Sequence, residues 1–405
     1  MSINKSVFNK YDLGKMCENL HIVSIGDDIS DYDRQVSFMH KDENLVKIES
    51  SNENFNEIIL LSEDLYINSS GLSKLVAVRD IISQIIKSFY ECKRKGNNDY
   101  KSKIIQGLND LKNCSKNYTV YIPLKFKLAN KMLRQKLEIV SFAESETIRD
   151  NFETVTLEMI KEKKVDFLKT NIISSSSKNV IQLTEERIEN IDDIFIHLSQ
   201  KSLKVPKKNK YEFLYPYFCA VIPNDSGGYS ESIVSGVEGR KNDNYYNIIV
   251  DNIRHSPEYL AYLISLEDNY FNGGGSEIEN RLFLSLKWLS KAFKEENSSM
   301  KIAFSIIALE AIFQNHKNTN QIADRIAILT SKLISDDREE QTKIIKKIKN
   351  LYDNRSRIVH GRDLAEFANS DFYYISELIS IIISKFYSSK DLEKINTLAE
   401  LEGYL

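Results

Sequence analysis

Between Pro257 and Tyr387 the apolar residues recur at helical spacing in one segment after another, joined by short polar connections. A stretch of this kind folds as a helical bundle, because each apolar stripe has to be covered by its neighbours. The spacing predicts helices over Pro257 to Tyr270, Ser276 to Glu296, Ser298 to Phe313, Thr319 to Ile334, Asp336 to about His360, and Asp371 to Tyr387. Asn272-Gly-Gly-Gly275 stops the first, Ser276 and Glu279 stand in capping-box spacing at the second, and Gly361 ends the fifth. The third is apolar almost all round, which places it at the centre of the bundle.

The first 240 residues follow a different pattern and read as a mixed α/β domain. From Tyr118 to Leu128 every second residue is apolar, the period of a half-buried strand, and Pro123 on the other face suggests a sheet edge or a bulge. Leu137 to Phe142 and Asp193 to Leu198 are further strand candidates, while Ser73 to Lys95 and Asp99 to Leu111 read as helices. Pro223 to Ser230 opens a stretch to about residue 243 with the composition of a loop, and Tyr246 to Val250 is strand-like. The expected class is therefore α+β: a mixed domain over 1–240, a linker over 241–256, an all-helical domain over 257–390 and an appendage over 391–405. A chain of 405 residues is long enough for two cores.

Composition narrows the function classes. No apolar run is long enough for a transmembrane helix and the N-terminus lacks a secretory signal, so a cytoplasmic protein with no membrane partner is expected. Cys17, Cys92, Cys114 and Cys219 form no C-x-x-C pair, no two of the six histidines are close neighbours, and neither a metal nor a cofactor is expected. The formal net charge is −3, so any contact with a polyanion has to come from a local patch.

The fifth predicted helix holds such a patch and a break in its own pattern. Ile344, Ile348, Leu351, Arg355 and Ile358 share one stripe, and the only charge among them is an arginine. A charge in an apolar stripe is costly unless it is paired or opens onto a cleft or interface. The third helix carries a single acid, Glu310, inside its apolar run, which predicts that Glu310 approaches and orients Arg355 or His360. Five positions on an ideal helix turn through about 500°. Arg355 and His360 therefore diverge unless the helix loosens near Gly361, or unless two chains pool their groups across a symmetric dimer axis. From Thr342 to Arg362 there are seven basic residues (Lys343, Lys346, Lys347, Lys349, Arg355, Arg357 and Arg362) against Asp353 alone. Such an excess attracts phosphate, although a solvated helix face would look the same for the lysines taken by themselves.

Three segments, Ala308-Leu-Glu-Ala-Ile-Phe313, Ala323-Asp-Arg-Ile-Ala-Ile-Leu329 and Leu351-Tyr-Asp-Asn-Arg-Ser-Arg-Ile-Val-His-Gly361, resemble the Apea-like branch of the HEPN superfamily. The last fits that superfamily's R-x4-6-H motif at its shorter spacing, and the resemblance covers roughly a third of the chain. It implies a dimeric, metal-independent endoribonuclease of toxin or antiphage defence systems, with Arg355 and His360 as the catalytic pair. Glu310, Asn354 and Ser356 would support that pair, and Arg357, Lys346, Lys349 and Arg362 would contact RNA. Ser356 stands where active members often carry an amide or an acid. The implied partners are RNA, a second copy of the chain, and a cognate inhibitor or trigger protein. The alternative is a non-catalytic HEPN module that binds nucleotide or RNA, or that only dimerises.

Overall fold

A computed structural model describes residues 3–23, 34–40, 43–69, 72, 75–124, 138–141, 166–175, 177–199, 217–223, 229–236, 257–314, 322–359 and 369–405. They form an α+β protein that divides into two compact units. The first comprises 1–120, 171–184 and 220–233; the second comprises 121–170, 185–219 and 234–405. The expected linker, 241–256, lies outside the described residues, as does the strand-like Tyr246 to Val250.

The first unit opens with a short 3-10 turn and α1 (Leu13–Glu18), followed by β1 (Leu20–Val23), β2 (Arg34–His40) and β3 (Glu43–Ser50). These strands form an antiparallel sheet in the order β1-β3-β2. The helices α2 (Asn52–Asn68), α3 (Val78–Lys95) and α4 (Tyr100–Asn113) follow. In α3, Ile81, Ile85, Phe89 and Cys92 recur at helical spacing and are buried; the first three share one core with Ile58, Leu61 and Leu65 of α2. The helix ends at Gly96, whose φ of 60° is the left-handed conformation that terminates a helix at least cost in glycine. Just before it, the Lys93 ammonium donates to the carbonyls of Glu18 at 3.1 Å and Leu20 at 2.5 Å, satisfying backbone acceptors at and just past the end of α1.

A five-stranded sheet holds β4 (Lys116–Pro123), β5 (Ile139–Ser141), β6 (Asp166–Ser174), β7 (Tyr217–Pro223) and β8 (Tyr229–Gly236) in the order β5-β6-β4-β7-β8. The apolar face expected of β4 is buried at Tyr118, Val120, Ile122 and Leu124, with Phe126 and Leu128 outside the described residues; the strand is not half-buried as expected, because Thr119 and Pro123 on its other face are buried as well. Of the two readings of Pro123, edge or bulge, the edge is excluded, since β4 lies between β6 and β7. Pro123 is tolerated because it is the last residue of the strand, and the Leu124 N–H resumes pairing with the Asp166 carbonyl at 2.9 Å. Two further expectations are corrected. Asp193 to Leu198 belongs to the helix α5 (Ser177–Ser199), and Tyr229 to Gly236 is a strand inside a stretch with loop composition.

The bundle follows with α6 (Pro257–Asn272), α7 (Glu277–Lys294), α8 (Ser298–Phe313), α9 (Ile322–Ile334), α10 (Arg338–Val359) and α11 (Asn369–Ser388). Ser276 caps α7 in a full capping box with Glu279. After α6 the chain turns at Gly273 (φ 68°), and the N–H groups of Gly273, Gly274 and Gly275 all bond to carbonyls of Tyr270 or Asn269. That glycine run is a helix stop whose donors are already engaged. Residues 391–405 form a second 3-10 turn and α12 (Leu398–Tyr404), and they dock instead of trailing. Leu401 is fully buried, and the Asn396 carbonyl accepts from the Ile278 N–H at 3.1 Å. Among the described residues no helix is long and apolar enough to cross a membrane.

Candidate functional site

The stripe on α10 runs as its spacing predicts. Ile344, Ile348, Leu351 and the neighbouring Tyr352 are buried. At the next turn the row rises to the surface, and the Arg355 side chain is 31% exposed. The last turn of α8 brings Glu310 opposite it, with Oε2 at 3.7 Å from an Arg355 terminal nitrogen. This is an ion pair at the long end of the range, and it leaves bonding capacity on both partners. The buried Nε of Arg355 has no hydrogen-bond partner among the described residues. Burial and the nearby Glu310 carboxylate push the Tyr352 phenol well above its ordinary value, which keeps the ring a neutral wall beside the pair.

The remaining sequence candidates separate into three groups. His360 and Arg362 lie outside the described residues. Asn354, Ser356 and Arg357 are in the last turns of α10, and only their backbone is described. The lysines are described, and most are paired. Lys343 bonds Glu339 at 2.9 Å, Lys347 meets Asp371 of α11, and Lys349 meets Asp324 of α9, while Lys346 is exposed. The excess counted along the chain is therefore smaller in space, because two of the acids that offset it come from other helices. The basic run Lys201 to Lys210 lies outside the described residues.

Glu310 also lines a cleft that the sequence did not disclose. Residues of α7 and α8, with Tyr270 of α6 at one side, border a half-open cleft of about 360 Å³. Leu284, Ile307 and Ala311 give it apolar walls, with Trp288 among the lining residues. The Arg281 guanidinium lines it too, held by Glu277 at 2.8 Å and by the carbonyls of Ala311 at 3.3 Å and Gln314 at 2.8 Å. It thereby caps the C-terminus of α8. The Asn280 amide nitrogen donates to the Gly275 carbonyl at 3.2 Å, which leaves its oxygen as the available end.

A second polar feature was equally hidden. Arg187, Asn190 and Asp193 succeed one another along α5 and meet α6 and α7 in a buried seam. Arg187 pairs with Glu267 at 3.3 Å and with Asp268; Asn190 donates to Glu267 at 3.3 Å and accepts from Lys287 at 2.8 Å. Asp193 accepts from Ser290 at 2.5 Å and from Lys294 at 2.9 Å. Burial drives the Glu267 carboxyl up to about 7, against the opposing pull of Arg187 and Asn190, and raises Asp193 against the pull of Lys294. His197 lies 3.5 Å from the Tyr259 hydroxyl.

Compared with protein-family models, with curated proteins and with solved structures, the chain gives no match.

Proposed function

We propose that this chain is a metal-independent endoribonuclease of the HEPN type, a cytoplasmic toxin or antiphage effector that cleaves RNA as a homodimer and is held in check by an inhibitor or trigger protein. The observation that carries this reading is Arg355: a half-open guanidinium at the end of an apolar row, oriented by one distant carboxylate, with Nε unbonded among the described residues. A guanidinium in that state can grip a phosphate with two parallel bonds and stabilise charge developing on it. His360, assigned from the sequence motif, takes the proton of a ribose 2′-hydroxyl. The 2′-oxygen then attacks phosphorus, and the bond to the 5′-oxygen breaks. The chemistry calls for no cofactor.

A second reading has its own support. Glu310, Arg355 and the buried Tyr352 would equally serve as a structural ion pair in a binding or dimerisation module. Purified protein incubated with total RNA in EDTA separates the two. The enzyme cleaves RNA and loses cleavage in both Arg355→Ala and His360→Ala while keeping its fold. A parent that binds RNA without cutting it, or an Arg355→Ala variant whose only defect is lost stability, overturns the nuclease reading.

A further inference from the structure

We propose that the cleft between α7 and α8 is a base-binding subsite for guanine. Its walls suit a flat ring. Leu284, Ile307 and Ala311 offer apolar surface, and Trp288 and Tyr270 line it beside them, each ring already carrying a lysine ammonium, Lys291 and Lys287, over one face. At about 360 Å³ it is large enough for one nucleoside and too small for a stacked pair.

The polar groups decide which base. Arg281, the one cation among the described residues lining the cleft, has its guanidinium occupied by Glu277 and by two backbone carbonyls. Asn280 has its amide nitrogen committed to Gly275 and keeps its oxygen. Of the two carboxylates, Glu277 already accepts from Arg281 and from the Leu398 N–H at 3.4 Å, which leaves Glu310, held only by its long pair with Arg355 at 3.7 Å, as the open one. Gln314 adds an amide that can present either end, but the charged group left open is an acceptor, so the lining favours a ligand that brings donors. Guanine brings two adjacent donors on one edge, the ring N1–H and the exocyclic amine, and a carboxylate can accept both in parallel. Adenine, cytosine and uracil each present fewer donors along that edge.

Glu310 places this subsite beside Arg355, because the same side chain lines the cleft and pairs with the guanidinium. If the base belongs to an RNA strand, its phosphate is then near Arg355. That extension rests on the ribonuclease reading, whereas the affinity of the cleft for guanine does not.

Trp288 is the only tryptophan in the chain, so fluorescence excited beyond tyrosine absorption reports on this cleft alone. The full chain is titrated with the 5′-monophosphates of the four nucleosides, and with single-stranded oligoribonucleotides that contain one guanine or none. Guanine ligands should give a saturable change, with affinity about tenfold or more above the other bases. Ala311→Leu, which fills the cleft from a half-buried position, should abolish the response while its thermal melt stays near the parent's. Glu310→Gln should retain a response to nucleotides and lose the preference among bases. Saturation by the mononucleotide alone identifies a free nucleotide as the ligand, and tighter binding of the guanine oligonucleotide identifies RNA; either supports the subsite. No saturable response, an equal response to all four bases, or an undiminished response in Ala311→Leu overturns it. RNA cleavage in EDTA without guanine binding removes the subsite and leaves the nuclease. Guanine binding without cleavage does the reverse.

Discussion

The residue that departs most from its ordinary chemistry is Glu267, a carboxyl with no exposed surface in the seam between α5 and α6. Its unfolded value is about 4.5 and its folded value about 7, with burial the dominant cause. Between those values the folded chain holds a proton that the unfolded chain has released. Stability therefore falls as pH rises from about 4.5 to about 7 and is level above that, by up to about 3 kcal/mol from this group. Glu267→Gln keeps an acceptor for Asn190 and leaves Arg187 its pairing with Asp268. Urea melts of parent and variant across this range should show a steeper loss in the parent and a more stable variant at alkaline pH. A parallel pair of curves would show that Glu267 is ionised in the fold from the outset. The seam was not legible in sequence, because its members come from three helices and each looks like a surface charge on its own. Glu310 and Arg355 were legible for the opposite reason. Each stands alone in an otherwise apolar row, where a charge has to find a partner. The Glu310 cleft escaped notice because a cavity depends on the distance between two helix faces, which no single segment encodes.

At the scale of elements, the bundle helices were readable nearly to the residue. One stripe, one cap and one stop each carried enough information, as Ser276, Glu279 and Gly273 show for α6 and α7. The misreadings share a physical cause. In the second half of α5 the residues from Asn190 to Leu198 are all buried, so no polar face reveals the period, and a short apolar run fits either a strand or a helix. β8 went unread because Gly and Ser signal a loop locally, while the strand is selected by its pairing with β7. The C-terminal residues read as an appendage, yet α12 is docked through Leu398 and the fully buried Leu401. Leu401→Ala should therefore lower the unfolding free energy by roughly 2–5 kcal/mol, the usual cost of truncating a buried leucine. Exposed Tyr404→Ala should change it by less than about 0.5 kcal/mol. Denaturant midpoints measure both, and an unaffected Leu401→Ala would mean that α12 is detached in solution.

For the whole molecule the question is how a chain of net charge −3 handles a polyanion. Lys343, Lys347 and Lys349 already face acids, so at most four of the seven basic residues between 342 and 362 are left for phosphate. RNA affinity should then fall with salt at a logarithmic slope of about 3, where seven engaged cations would give about 5. Assembly matters more, because Arg355 and His360 lie on different sides of an ideal helix, so either the helix loosens near Gly361 or the two chains of the proposed homodimer pool the pair across a twofold axis. Mixing two dead variants tests this directly. Arg355→Ala and His360→Ala are unfolded together and refolded as an equal mixture, so that about half the dimers contain one chain of each kind. If each site takes its arginine from one chain and its histidine from the other, every mixed dimer has one site with both groups intact and one with neither. The mixture should then recover about a quarter of parental cleavage from two inactive components. If each site is built within a single chain, every site in the mixture lacks a group and cleavage stays at background. A sedimentation run on the same sample checks that dimers have formed. Background activity from a confirmed dimer therefore places the arginine and histidine of each site in the same chain.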